Sequence, residues 1–207
     1  INPRGGRAIT LQYMHARDKL FVSGDFLYGF RPDYTNFNFH QFTVDWREFI
    51  PMPWLRHSIQ VRMYGSFIDR RVDDFFWVYI GGLDGIRGYT FYSIGGRQGA
   101  LASGTYRFPI LRNIGRQLSW LTFRDVYGGV FFEAGHAWEN HFKINDLKKS
   151  IGLELRLLLG SYYSYPTAIN FVAARSLDRS VFFLPAFEQT TIHEPQWRYY
   201  LQVGFTF

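Results

Sequence analysis

The sequence predicts an all-β chain, an antiparallel transmembrane β-barrel of about eight strands, on three observations. Apolar and polar residues alternate with period two along almost the whole chain, which is the signature of strands. Aromatic residues make up 20% of 207 positions (Phe 22, Tyr 14, Trp 6), yet the mean hydropathy is only −0.16. Rings in quantity on a hydrophilic balance suit a wall with one greasy face, one wet face and aromatics at two interfaces. Finally, no apolar stretch approaches the ~20 residues a membrane helix needs; the longest, such as Leu157 to Leu159 or Val130 to Phe132, are far shorter.

Eight strands are predicted near 7–15, 38–48, 57–68, 98–108, 125–136, 149–158, 167–174 and 198–207. The second sets His40, Phe42, Val44 and Trp46 against Gln41, Thr43, Asp45 and Arg47. The sixth sets Ile151, Leu153, Leu155, Leu157 and Leu159 against Gly152, Glu154, Arg156 and Leu158. The last sets Tyr199, Leu201, Val203, Phe205 and Phe207 against Tyr200, Gln202, Gly204 and Thr206. The polar faces are modest in size and rich in Gly, Thr and Gln, as a barrel interior would be. Most strands are near the ~9–11 residues that a tilted membrane strand requires.

The connections alternate in length. Segments 16–37, 69–97, 137–148 and 175–197 are mostly long, while Phe49 to Arg56 and Gly160 to Pro166 are short. Long loops on one rim and short turns on the other are expected of outer-membrane barrels. Pro109 to Arg124 is the exception, and its Ile110, Leu111, Ile114, Leu118, Trp120 and Leu121 predict a segment lying at the membrane interface. No repeat, low-complexity tract or linker divides the chain, so residues 1–207 are expected to form one barrel domain. The opening Ile-Asn-Pro-Arg, with no initiator Met or signal peptide, leads us to expect the C-terminal part of a longer precursor.

The formal charge of +6 is spread thinly, with no basic helix, and suits anionic lipid headgroups better than nucleic acid. With no cysteine there is no disulfide framework and no thiolate metal site. Gly81-Gly-Leu-Asp-Gly-Ile-Arg-Gly88 lacks the Lys and the helix of a P-loop, and no GxSxG elbow occurs. His136 and His141 are the only close histidines, and on a strand they point to opposite faces. No catalytic residue, cofactor or metal is therefore expected, and the chain is read as non-enzymatic.

Three features go beyond a bare barrel. Gly85-Ile86-Arg87-Gly88-Tyr89 lies in the longest connection, among Gly81, Gly82, Gly95 and Gly96. Such a loop can approach a wall closely, and Arg87 offers a planar, permanently charged fork for a buried carboxylate. In Gly128-Gly-Val-Phe-Phe-Glu-Ala-Gly-His-Ala-Trp138, the residues Phe131, Glu133 and Gly135 share one face. A carboxylate in a poorly hydrated interior needs a partner; Arg107 and Arg156 on neighbouring strands are the local alternatives to the loop. Third, apolar residues fall at every second position from Tyr199 to the terminal Phe207.

Taken in order, these residues resemble the C-terminal half of the barrel of the outer-membrane insertase and translocator superfamily, also called the bacterial surface antigen family. Ile86-Arg87-Gly88-Tyr89 resembles its [VI]RG[YF] loop motif, and Phe131, Glu133, Gly135 and Trp138 resemble its wall motif. Gly104-Thr-Tyr-Arg-Phe-Pro-Ile110 is similar to the strand after the loop, and Pro3-Arg-Gly-Gly6 to the start of the second half of the barrel. Tyr199, Leu201, Val203, Phe205 and Phe207 resemble the C-terminal β-signal read by the assembly machinery. The chain departs from the family in having Glu133 where Asp is commoner, and Thr105 where Glu is frequent. It also has about eight strands where the family has sixteen after periplasmic POTRA domains.

The resemblance implies that the loop tucks into the lumen and that Arg87 contacts Glu133 on the wall. It implies a bacterial outer-membrane location, with lipid and lipopolysaccharide around the wall. It further implies a module that assembles or exports other proteins, with client or accessory outer-membrane proteins and self-association among its partners. The alternative is a non-conducting barrel that anchors a fused or associated periplasmic or surface domain. Eight strands would form either a small closed barrel or half of a sixteen-strand one. A soluble, lipocalin-like barrel predicts an apolar interior, against which Gln41, Asp45, Arg107, Glu133, Glu154 and Arg156 argue.

Overall fold

Period-two alternation on this chain resolves into one large antiparallel sheet. The structure is a computed structural model that describes residues 5–25, 31–53, 56–161, 165–184 and 189–205. Among the described residues there are thirteen strands: β1 (Gly6–Asp25), β2 (Arg31–Pro51), β3 (Ser58–Ile68), β4 (Val78–Tyr79), β5 (Gly95–Gly96), β6 (Gln98–Leu111), β7 (Arg116–Leu118), β8 (Leu121–Trp138), β9 (Lys148–Ser161), β10 (Tyr165–Ser176), β11 (Ser180–Leu184), β12 (Gln189–His193) and β13 (Trp197–Phe205). Short 3-10 turns occur at Asp74–Phe76 and Ile144–Asp146.

The main sheet runs β1-β2-β3-β6-β8-β9-β10-β13, each strand antiparallel to the next, with β7 hydrogen-bonded to β8. Every long strand thus pairs with its neighbour in sequence among the long strands, as in an up-and-down meander. β1 and β13 do not pair with each other among the described residues, so the sheet is an open path with two edges.

Each of the eight predicted strands falls within or largely overlaps one of these eight, but several are longer than expected. β1 and β2 stay in register from Gly6↔Phe49 through Ala16↔Phe39 to Asp25↔Arg31, well into the segment expected as a loop. The extension exposes Arg17, Asp18, Lys19, Thr35 and Asn36. With water on both faces there is no apolar alternation to read, although pairing still satisfies the backbone. Pro109 to Arg124, expected as a connection, is partly strand. β6 carries a bulge near Ile110, and β7 folds back on β8 as a hairpin closing at Leu118↔Leu121. Its Ile110, Leu111, Leu118 and Trp120 are exposed. The connection between β10 and β13 contains a further hairpin, β11–β12.

The two faces of the sheet differ in what covers them. One face exposes apolar side chains on all eight strands, among them Leu11 (74%), Phe42, Met63, Tyr106, Phe132, Leu153, Phe171 and Tyr199 (76%). The other face is covered in part by the 69–97 connection, while Thr10, Gln12 and Gln202 on it stay exposed. Ile80, Ile86, Tyr89 and Ile94 of that loop pack with Phe39, Ile68, Leu101 and Ala137 of the sheet to form the largest core cluster. A second small core joins Phe131, Val172 and Ala174, with Tyr200 against them.

Candidate functional site

The site begins with the internal bonds of the 69–97 loop, which brace it against itself as well as against the wall. The Asp73 side chain caps the Asp74–Phe76 turn by accepting from the Phe75 N–H at 3.1 Å. Tyr79 donates to the Asp74 carbonyl at 2.8 Å, and β4 pairs with β5. The Ile80 N–H donates to Ile94 O at 3.0 Å, and the Ile86 N–H donates to Ile80 O at 2.7 Å. These bonds pull the two sides of the loop together and present Ile86, Arg87, Gly88 and Tyr89 to the sheet. Ile86 is fully buried and Tyr89 is 2% exposed.

Arg87 lies in a bed built by β8 and β9. Its Nε donates to Glu133 Oε1 at 2.6 Å, and its backbone N–H donates to Glu133 Oε2 at 2.7 Å. Ser150 Oγ adds a third bond to the same carboxylate at 2.8 Å, which the register explains because Ser150 lies directly opposite Glu133. Arg87 Nη1 reaches Glu154 Oε2 at 3.3 Å, and Glu154 also accepts from Arg107 Nε. Arg107 Nη1 in turn donates to Gln60 at 2.6 Å. The Glu133 side chain is only 3% exposed, and a lone ion there would cost several kcal/mol in lost hydration; three donors, one of them the Arg87 guanidinium, offset that cost.

Two glycines are required by close approach. A Cβ on Gly88 would lie 2.6 Å from Ser176 N and 2.7 Å from Ser150 Cβ, so only a bare backbone reaches the wall here. A Cβ on Gly135 would lie 2.6 Å from Ala100 O and 3.1 Å from the Ile86 side chain. Gly135 is therefore the floor on which the loop isoleucine sits.

The last strand closes the arrangement. Tyr200 Oη donates to Arg87 O at 2.9 Å, and Arg198 Nε donates to Gly88 O at 3.1 Å. The Tyr89 hydroxyl proton lies between Asp178 O at 3.0 Å and Lys149 O at 3.2 Å, while its oxygen accepts from the Asp178 N–H at 3.2 Å. Burial pushes the Tyr89 phenol up to about 12. On the far side, Arg62 donates to Asp84 O at 2.6 Å and grips Asp45 with two bonds of 3.0 and 3.1 Å. A cavity of 230 Å³ separates the two anchor points. Arg156 Nε and Asn170 Oδ1, opposite each other in register beside this cavity, are buried with no partner among the described residues.

The structure thus brings Arg87, Phe131, Glu133 and Gly135 together, with Ile86, Gly88 and Tyr89 packed around them. Glu133 takes the loop arginine, and the locally available Arg107 goes to Glu154 instead. Thr105 is buried opposite Phe131, and the second carboxylate on Arg87 comes from Glu154 on β9. Tyr199, Leu201 and Val203 lie on the exposed apolar face, away from the latch. Phe205 ends β13 opposite Thr167, and Phe207 lies outside the described residues. Sequence reasoning missed the parts played by Ser150, Glu154, Arg198 and Tyr200. Period two placed Glu154 and Tyr200 on the polar faces of their strands, but alternation carries no information on distance to a remote loop. Among the described residues no group of three His, Cys, Asp or Glu side chains is placed to hold a metal. No protein-family model, curated protein or solved structure matches the chain.

Proposed function

We propose that the chain is the membrane-embedded barrel module of an outer-membrane protein insertase or translocator, with the 69–97 loop latched inside its lumen. The observation that carries the reading is the opposed character of the two faces. Exposed apolar side chains run across all eight strands on one side. On the other, a long connection is fastened by Arg87 to the carboxylates of Glu133 and Glu154. An apolar surface of that extent is unusual on a soluble monomer and suits hydrocarbon. No described helix is long and apolar enough to cross a membrane, so the strands would do the crossing.

In this reading the work is mechanical and non-enzymatic. Hydrocarbon tolerates no unpaired strand edge, so β1 and β13 would take partners: each other, further strands of a longer chain, or a second copy. An edge that pairs weakly can add a client strand through backbone hydrogen bonds. The test is to place the chain in lipid vesicles and follow the folding rate of an outer-membrane barrel client. Acceleration that Arg87→Glu abolishes supports the proposal; no acceleration by the unaltered chain overturns it.

A second reading is favoured by the packing of Ile80, Ile86, Tyr89 and Ile94 onto the sheet, which occupies much of that face with side chains. A filled eight-strand barrel conducts nothing and would serve as an anchor for an attached domain. The native mass in gentle detergent separates the two. A lone 24.4 kDa chain favours the anchor, and a two-copy or larger assembly favours the insertase.

A further inference from the structure

The rim opposite the latch loop carries a separate cluster that the latch does not use. Where the ends of β2 and β6 meet the starts of β3 and β8, Arg56, His57, Arg112 and Arg124 line a cavity of 300 Å³. All three arginines are exposed, and none makes an ion pair among the described residues. The one carboxylate in the cavity, Asp125, accepts from the Asn113 N–H at 3.1 Å and leaves the lining net positive. Several arginines elsewhere are ion-paired, among them Arg7 with Glu48, Arg62 with Asp45 and Arg107 with Glu154 on the sheet, and Arg87 of the loop with Glu133.

What flanks the cluster defines its ligand. Ile50, Ile110, Leu111, Leu118 and Trp120 are exposed beside it, on β2, on the end of β6 and on the β7–β8 hairpin. Unmatched guanidiniums above a skirt of aliphatic and indole side chains match a boundary between hydrocarbon and anionic headgroups. A free anion would use the charges and leave the skirt without a role. The planar fork of arginine suits phosphate oxygens.

We propose that this rim is a headgroup site for an anionic phospholipid, with Arg56, Arg112 and Arg124 on the phosphate and the Ile110–Trp120 segment against the acyl chains. The proposal rests on the membrane-embedded reading above. It is tested with the refolded chain, offered phosphatidylcholine vesicles with or without phosphatidylglycerol and separated by flotation. The unaltered chain should prefer the phosphatidylglycerol vesicles, and the preference should fade with salt. Arg56→Gln, Arg112→Gln and Arg124→Gln together should remove it, by roughly fivefold for each arginine lost. Arg17→Gln, Arg71→Gln and Lys143→Gln, three exposed cations on the opposite rim, change the net charge equally and should leave it intact.

Equal binding of the unaltered chain to both vesicles overturns the lipid site and leaves the membrane reading standing. Equal losses in the two triple variants also overturn it, because net charge alone would then explain the preference. Competition by inorganic phosphate overturns the lipid assignment in favour of a simple oxyanion site. Failure to associate with either vesicle overturns both this proposal and the membrane reading.

Discussion

The guanidinium carbon of Arg87 lies 3.4 Å from the centre of the Phe131 ring, while its Nε is bonded to Glu133 two residues further along the same strand. Residues i and i+2 share a strand face, so β8 supplies both a flat bed and a clamp for one planar cation. An aromatic followed by an acid at that spacing is therefore a receptor for arginine in particular. Lysine keeps the charge but loses the stacking and the fork. Arg87→Lys should lower the unfolding midpoint in denaturant measurably, and Phe131→Leu should do the same. The two losses should be less than additive, since each removes the same contact.

Charge reversal gives a sharper outcome. Arg87→Glu sets a third carboxylate beside Glu133 and Glu154 and should cost about 3–5 kcal/mol of stability, the range for breaking a buried pair. Adding Glu133→Arg should recover part of that loss, because Glu154 remains to accept from the new cation. The check is the denaturation midpoint of the two single variants and the double variant. A double variant no better than the worse single one would count against the pairing.

Gly88→Ala and Gly135→Ala should detach the loop without unfolding the sheet. The new Cβ at Gly88 meets the Ser176 backbone of the wall at 2.6 Å, so the loop must lift. The new Cβ at Gly135 meets both Ala100 O on the neighbouring strand at 2.6 Å and the loop's Ile86 side chain at 3.1 Å, so strand and loop must both give. Such overpacking typically costs about 1–3 kcal/mol. Limited proteolysis should then cut within residues 69–97 in both variants while the strands stay protected. Gly104→Ala, where a Cβ meets nothing within 4 Å, serves as the control.

Alkaline pH should loosen the same loop. The Tyr89 phenol is raised from 10.0 to about 12, chiefly by burial, so the unfolded segment loses its proton first as pH rises. The folded state binds more protons across that window, and stability therefore falls from about pH 10 to about pH 12 and levels off above it. Tyr89→Phe should reduce this slope, leaving the part due to other tyrosines such as Tyr79, which burial also raises, and should cost about 1–3 kcal/mol at neutral pH by leaving the Asp178 N–H without its partner. Proteolytic sensitivity of the loop against pH, in both proteins, is the measurement.

Phe132→Arg separates lipid from water as the medium around the apolar face. Phe132 is 48% exposed at the middle of the eight-strand path. In a bilayer, arginine at the midplane costs about 2–4 kcal/mol and should sharply reduce recovery of folded protein in vesicles. In water the same change would be near neutral. Equal folding yields for the two proteins would remove the support that this face gives to the membrane reading.

The sheet was legible because period two writes which face each residue takes. Leu153 against Glu154, or Val44 against Asp45, needs no knowledge of the partner strand. Arg87 and Glu133 were legible for a different reason, since charged groups in mostly apolar segments demand neutralisation, and the family resemblance paired them. What alternation could not convey was which acid would meet which base. Arg107 lies within reach of Glu154 across β8 because Gly129, between them, has no side chain, and that juxtaposition arises only from register. The extended β1–β2 hairpin was illegible because its polar residues face water on both sides. Tyr200 was read as a polar-face residue, and nothing local in Tyr199-Tyr200 announces a bond to a loop 113 residues away.

Tyr200 and Arg198 hold the carbonyls of Arg87 and Gly88 from the strand at the open edge of the sheet. The occupancy of the loop and the ordering of that edge are therefore two readings of one equilibrium. Free energy put into peeling β13 away from β10 must also break these bonds, and a ligand that lifts the loop removes part of what keeps β13 straight. Such linkage is reciprocal and equal in both directions. In a molecule wired this way the interior and the margin cannot change independently.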